Sequence, residues 1–277
     1  MTLFTNIKSF DKSFLLKLWL SLILYQLSVC PVSAQKDTMD IKDYILIINT
    51  YTESFPWSNR LISTATNFVK DDPKLAVYTE HMNMIMIDND SILDQFKDSL
   101  FDRYGSHRPR MLLLLGNSSL ILKDDLRKMW GDIPMVLCAG KDYTGPEHYY
   151  LTKQPIPLSE RVPLAELSQS CNLTYLYANL YIHENVEMMF RTLPRMKRFI
   201  YVGDERFVNQ VNSQEIQEIL RTKHPDVHYT FLSSRDIKKT NQLIDSLNFV
   251  DPRTTGILFS SWFHKRQFAG NMMLTMI

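Results

Sequence analysis

Apolar positions along the chain follow two recurring patterns, unbroken runs and stripes at a spacing of three to four residues. Tyr44-Ile45-Leu46-Ile47-Ile48 and Met111-Leu112-Leu113-Leu114-Leu115 are continuous runs, as expected of strands covered on both faces. Lys74 to His81 and Pro134 to Cys138 read as two further strands. Between the runs, Leu61, Ile62, Ala65, Phe68 and Val69 recur at helical spacing, as do Ile92, Leu93, Phe96 and Leu100, and then Leu120 to Trp130. Ser58 or Asn59 is placed to cap the first of these helices.

The rhythm breaks between Lys141 and Ser170, where Pro146, Pro155, Pro157 and Pro163 argue against a long regular helix. It resumes with a helix from Asn185 to Leu193, a strand at Arg198-Phe199-Ile200-Tyr201-Val202 and a helix around Ser213 to Thr222. A strand at Val227 to Leu232, a helix near Asp236 to Leu247 and a strand at Gly256 to Ser260 follow. Alternation of this kind predicts an α/β chain with two doubly wound, mostly parallel sheets. The expected layout is a first lobe over residues 41–180 and a second over 181–277. With three clear strands, the second lobe reads as incomplete, which points to a fragment of a longer protein.

Residues 1–34 read as an export signal. Lys8, Lys12 and Lys17 precede the apolar stretch Leu18 to Val29, and Ser33-Ala34 offers a small-residue cleavage site. The stretch is short for a membrane span, which needs about 20 residues; an uncleaved anchor from Phe14 is the alternative. Pro31 after Cys30 argues against a lipid anchor. Loss of the segment removes three Lys and one Asp and turns the formal charge from +1 to −1. Near-neutral charge gives no support to nucleic-acid binding. Cys138 and Cys171 would then face an oxidising compartment; Cys138 closes a strand-like run and reads as a small buried hydrophobe rather than half of a disulfide.

Several segments together carry a resemblance. Ile45-Leu46-Ile47-Ile48-Asn49-Thr50-Tyr51 is followed by Pro56-Trp57-Ser58 entering a helix, and then by Pro134-Met135-Val136-Leu137-Cys138-Ala139-Gly140. Further on stand the helix Asn185 to Leu193 with Pro194, Phe199-Ile200-Tyr201-Val202-Gly203-Asp204-Glu205, and Gly256-Ile257-Leu258-Phe259-Ser260-Ser261-Trp262. In order and spacing the set resembles the substrate-binding-protein-like sensor domains of hybrid two-component histidine kinases of Bacteroidota. The resemblance implies a periplasmic module of type I periplasmic-binding-protein-like fold, closing two lobes on a small molecule and signalling through a membrane helix to a kinase. The chain departs from that plan. It carries no kinase histidine motif and no receiver domain, and Gly116-Asn117 stands where such domains often have an acidic residue.

Open α/β sheets bind ligands beyond the carboxyl ends of their strands. That rule, independent of the resemblance, nominates Thr50, Tyr51, Trp57 and Ser58 after the first strand, Asn117 and Ser118 after the third, and Ala139 and Gly140 after the fourth. Across the cleft it nominates Asp204, Glu205, Ser261 and Trp262. Each has a plainer reading. Trp57 serves equally as a hydrophobic staple on Leu61, Ser58 as a helix cap, and Asn117 with Ser118 as the cap of the next helix. Asp204 and Glu205 read either as solvated loop acids or as acceptors for a polyol or an amine, and Trp262 as an aromatic lid or as core.

No Gly-x-Ser-x-Gly, phosphate loop or His-Glu-x-x-His occurs, and His81, His148, His183, His224 and His228 are scattered. No cofactor or metal is expected. Met82, Met84 and Met86, spaced as on one face of a strand, suggest a packing or dimer surface rather than a copper site. The expected function is recognition without turnover of a small polar molecule, such as a sugar or related metabolite, with a homodimer and a membrane kinase as further partners. A solute-binding protein of an ABC transporter and a secreted α/β hydrolase-like enzyme are the alternatives.

Overall fold

The computed structural model describes residues 43–233, 237–261, 263–268 and 271–276. The proposed signal segment and Trp262 lie outside the described residues. Residues Ile41–Ile277 form one compact unit. In chain order its elements begin with β1 (Tyr44–Asn49), α1 (Pro56–Val69), β2 (Ala76–His81), α2 (Asp90–Tyr104) and β3 (Met111–Leu115). A 3-10 turn (Asn117–Leu122) then leads into α3 (Lys123–Trp130) and β4 (Met135–Ala139). Next come β5 (Tyr143–Thr144), α4 (Glu147–Thr152), β6 (Val162–Pro163), α5 (Leu164–Ser170) and β7 (Leu173–Tyr177). The rest comprises α6 (Ile182–Thr192), β8 (Arg198–Val202), α7 (Phe207–Lys223), β9 (His228–Leu232), α8 (Ile237–Ser246), β10 (Thr255–Phe259), β11 (Phe263–Phe268) and β12 (Asn271–Met276).

Five strands form the first sheet in the order β2-β1-β3-β4-β7, all parallel. Its centre is apolar on both faces, as the unbroken runs require. Ile47, Leu115 and Cys138 pack under α1 through Trp57, Leu61, Ile62 and Ala65, while Leu46, Ile48, Leu112 and Leu114 are buried on the alternate positions. Strand β7 was not anticipated. Its Leu176 and Tyr177 are exposed at the sheet edge, so it lacks the buried run that marks its neighbours. The proline-rich region folds into two short helices, α4 and α5, each entered through a proline, Pro146 or Pro163.

The second sheet is parallel, in the order β10-β8-β9. Alternation along β8 divides its core: Phe199 and Tyr201 join Val186, Ile216 and Leu220 of α6 and α7, while Ile200 and Val202 meet Leu243, Leu247 and Val250. Strands β11 and β12 form a separate antiparallel pair. Two expectations fail in detail. Phe68, placed on the inner stripe of α1, is 90% exposed. The Met82–Met86 stretch is a turn rather than a strand, with Asn83 in the left-handed region; it buries Met82 and Met84 inside the molecule, in keeping with the packing half of that expectation and not with the dimer face. Cys138 and Cys171 are both buried free thiols.

Candidate functional site

Beyond the carboxyl ends of the strands, the loops of both sheets converge on one crevice of about 70 Å³. The first sheet contributes Thr50, Tyr51, Thr52 and Phe55 after β1, Asn83 to Ile85 after β2, Asn117 and Ser118 after β3, and Gly140 and Lys141 after β4. Lys153, at the end of α4, closes its side. The second sheet contributes Arg206, Phe207 and Val208, where α7 begins.

A glycine makes the first side. Gly116 has φ +96°, and a Cβ there would lie 2.4 Å from the Thr50 hydroxyl, so the chain turns sharply out of β3 only with glycine. The turn buries Asn117, whose side chain holds the loop after β4. Its amide nitrogen donates to the carbonyls of Lys141 and Tyr143, both at 2.8 Å. Its amide oxygen accepts from the N–H groups of Gly140 at 2.9 Å and Lys141 at 3.2 Å. Asn117 is therefore a positioning residue with its hydrogen bonds spent on backbone. Thr50 donates to the carbonyl of Leu115 at 2.7 Å and ties the β1 and β3 loops together.

Lys153 is 5% exposed and donates to the carbonyls of Met84 and Ile87, each at 2.6 Å, and of Tyr150 at 3.1 Å. It fastens the turn after β2 against α4. Tyr51 stacks on Phe55 at 4.4 Å between ring centres. Burial raises the pKa of the Tyr51 phenol, opposed by the charge of Arg206 and reinforced by that of Asp204.

The second side is organised by Asp204, which is wholly buried. Its carboxylate accepts from the backbone N–H of Arg206 at 3.0 Å, from Arg206 Nε at 2.8 Å, from Asn209 Nδ2 at 2.8 Å and from the Ser261 hydroxyl at 3.3 Å. The bond to the Arg206 N–H satisfies a donor at the start of α7, which is why that helix begins six residues before the periodicity suggests. The guanidinium of Arg206 also donates to the Ser261 hydroxyl at 2.6 Å, and it lies 5.1 Å from the Phe55 ring centre and 5.9 Å from that of Tyr51. Arg206 thus links the two sides. Lys141 pairs with Glu215 of α7 at 2.9 Å, and Tyr150 packs on Phe207 at 4.6 Å, adding two further links.

Of the residues nominated from sequence, Thr50, Tyr51, Asn117, Ser118 and Gly140 line the crevice, whereas Ala139 is buried and does not. Trp57 does not: it packs against Ile47, Leu115 and Cys138 and meets Tyr51 edge-on at 5.6 Å. Ser58 is buried and does not cap. The cap position is Phe55, and the Ser58 hydroxyl donates to the Phe55 carbonyl and accepts from Asn49 Nδ2, each at 3.2 Å. Asp204 and Ser261 lie behind Arg206, and Glu205 is not in the lining. Lys141, Lys153, Arg206 and Phe207 were missed. A second groove of about 940 Å³ runs along α7 beside Tyr143, Arg161 and Tyr177; helix flanks rather than strand ends form most of it.

Among the described residues no group of three His, Cys, Asp or Glu can hold a metal. Ser106 and His107 approach to 2.9 Å, but they are sequence neighbours on the exposed surface, with none of the burial expected of an activated nucleophile. No helix among the described residues is long and apolar enough to cross a membrane.

No protein-family model matches the chain, and no curated protein is significantly similar to it. Solved structures do resemble it. A protein assigned as a LacI transcriptional regulator from Bacteroides fragilis matches with TM-score 0.50 and 9% identity, over 79% of this chain and 69% of that one. A carbohydrate transporter solute-binding protein from Agrobacterium radiobacter, in complex with D-arabinose, matches with TM-score 0.44 and 10% identity, over 80% and 68%. A substrate-binding protein with adhesive properties from Clostridium difficile matches with TM-score 0.39 and 13% identity, over 75% and 62%. With its two doubly wound parallel sheets and a crevice at their strand ends, the chain has a type I periplasmic-binding-protein-like α/β fold.

Proposed function

We propose that the chain is a recognition module that binds a small polar molecule in the crevice between its two sheets and does not transform it. One observation carries the reading: strand-end loops of both sheets supply the walls of a single crevice, bridged by Arg206, Tyr150 with Phe207, and Lys141 with Glu215. A ligand contacting both sides favours one relative arrangement of the lobes, and binding becomes a population shift. In this reading the chain is exported by residues 1–34 and acts outside the cytoplasm, with the lobe rearrangement passed to a membrane kinase through a homodimer.

Delivery of a solute to a membrane transporter is the second reading and uses the same crevice. None of the three solved structures named above is a two-component sensor domain, which favours it. A neighbouring permease gene supports delivery, whereas a kinase reading frame continuing downstream supports sensing. Isothermal titration of the purified chain against a metabolite panel of sugars, amino acids and organic acids tests the shared claim. Saturable binding of one class is expected; a folded chain that binds none overturns it.

A further inference from the structure

The charged lining of the crevice has one sign. Lys141, Lys153 and Arg206 reach it from three different elements, and among the described residues no Asp or Glu lines it. The carboxylates that sequence reasoning offered to a polyol stand elsewhere. Asp204 is buried behind Arg206 among Asn209 and Ser261, and Glu215 meets Lys141 from the wider groove along α7.

Hydrogen-bond capacity is divided. The amide oxygen of Asn117 already accepts two backbone N–H groups, which leaves the side chains of Thr52, Asn83 and Ser118 as acceptors, and the three donors of Lys153 are spent on the carbonyls of Met84, Ile87 and Tyr150. An anion needs donors and positive charge. At the start of α7 the Asp204 carboxylate already takes the Arg206 N–H from behind, while Phe207 and Val208 open the helix at the crevice and no acidic residue occupies its first turn. Size narrows the class further. A space of about 70 Å³ falls below the roughly 300–1,000 Å³ of drug-sized sites, so the occupant is small or enters with the lobes parted. The remaining wall is apolar, from Phe55, Ile85 and Phe207 with the ring of Tyr51.

We infer that the crevice selects a small organic acid, whose carboxylate sits among Arg206, Lys141 and the start of α7 and whose apolar part rests on Tyr51 and Phe55. This rests on the crevice being the ligand site, and it replaces the sugar that the sequence reading offers.

The test uses matched pairs in which a neutral group replaces the carboxylate: lactate with lactamide, phenylacetate with phenylacetamide, and glucuronate with glucose. Each is titrated calorimetrically into the chain at about 20 and 200 mM NaCl, where screening differs severalfold in range. The acid of at least one pair is expected to bind at least about tenfold more tightly than its neutral partner, and less tightly at the higher salt. Lys141→Gln, confirmed folded by its thermal unfolding midpoint, also removes the link to Glu215 and so acts on both members of a pair; it is expected to weaken the acid at least about fivefold more than the neutral partner. Equal or preferential binding of the neutral members overturns the inference while the binding role stands. Acid binding unaltered by both salt and Lys141→Gln also overturns it. If neither these pairs nor any compound of the wider panel binds, the inference and the binding role fall together.

Discussion

Replacing Asp204 with alanine removes the acceptor on which the second side of the crevice is organised. Four donors converge on this carboxylate: the Arg206 N–H, Arg206 Nε, Asn209 Nδ2 and the Ser261 hydroxyl, at 2.8–3.3 Å. Asp204 has no exposed side-chain surface and Arg206 only 12%, so water cannot replace the lost partner without local opening. Removing one member of such a buried pair costs about 3–5 kcal/mol, because the other charge stays desolvated. At about 2–4 °C per kcal/mol for a chain of this size, Asp204→Ala should lower the unfolding temperature by roughly 6–20 °C. Asp204→Asn keeps the shape and one oxygen acceptor but not the charge, and should lose about 1.5–3 kcal/mol. Urea unfolding followed by circular dichroism supplies both numbers. If both variants unfold within about 1 kcal/mol of the parent, the buried network does not hold the start of α7, and the account of how Arg206 is aimed at the crevice fails.

Three further outcomes are expected. Gly116→Ala combines φ +96° with a Cβ 2.4 Å from the Thr50 hydroxyl, and urea unfolding should show a loss of about 3 kcal/mol or more. Trp57→Ala should cost roughly 2–4 kcal/mol through lost packing on Ile47 and Leu115 while leaving ligand affinity in titration calorimetry unchanged; a loss of affinity without loss of stability would restore Trp57 as a stacking platform. Alkaline pH should destabilise the fold. Burial, with the Tyr78 charge adding to it, pushes Tyr44 from 10.0 up to about 12, so above pH 10.0 the unfolded chain gives up a proton that the native chain keeps. Stability present below 10.0 is then lost between 10.0 and about 12, at roughly 1.4 kcal/mol per pH unit for this group. Unfolding midpoints measured from neutral to strongly alkaline pH, compared with Tyr44→Phe, should show a smaller alkaline fall in the variant.

How much of this was legible in the sequence depended on burial. Tyr44 to Ile48, Met111 to Leu115 and Arg198 to Val202 sit at the centres of their sheets, and their unbroken apolar runs state it directly. Edge strand β7 has one face in water and left no comparable run. Helix boundaries depended on caps that periodicity does not show: α1 opens at Pro56 without a side-chain cap, so Ser58 falls inside it, and α7 opens early because Asp204 binds the Arg206 N–H. An Asp two residues before the residue that leads into a helix, the spacing of Asp204 and Arg206, was a usable signal. The rule that ligands meet the carboxyl ends of strands nominated Thr50, Tyr51, Asn117, Ser118 and Gly140, which line the crevice. It could not find Lys153, which reaches the crevice from α4 through carbonyls 66 to 69 residues away in the chain. Nor could it tell that Asp204 turns its carboxylate inward; that depends on Asn209 and Ser261 closing around it.

The central claim is that loops from both sheets hold one ligand between them. Hydrogen exchange with and without a saturating ligand from the calorimetric panel tests it most directly. The account predicts simultaneous slowing at residues 50–55, 83–85, 117–118 and 140–141 of the first sheet's loops and at 206–210, where α7 begins. Slowing confined to the loops of one sheet, or to the groove along α7 beside Tyr143 and Tyr177, would contradict it.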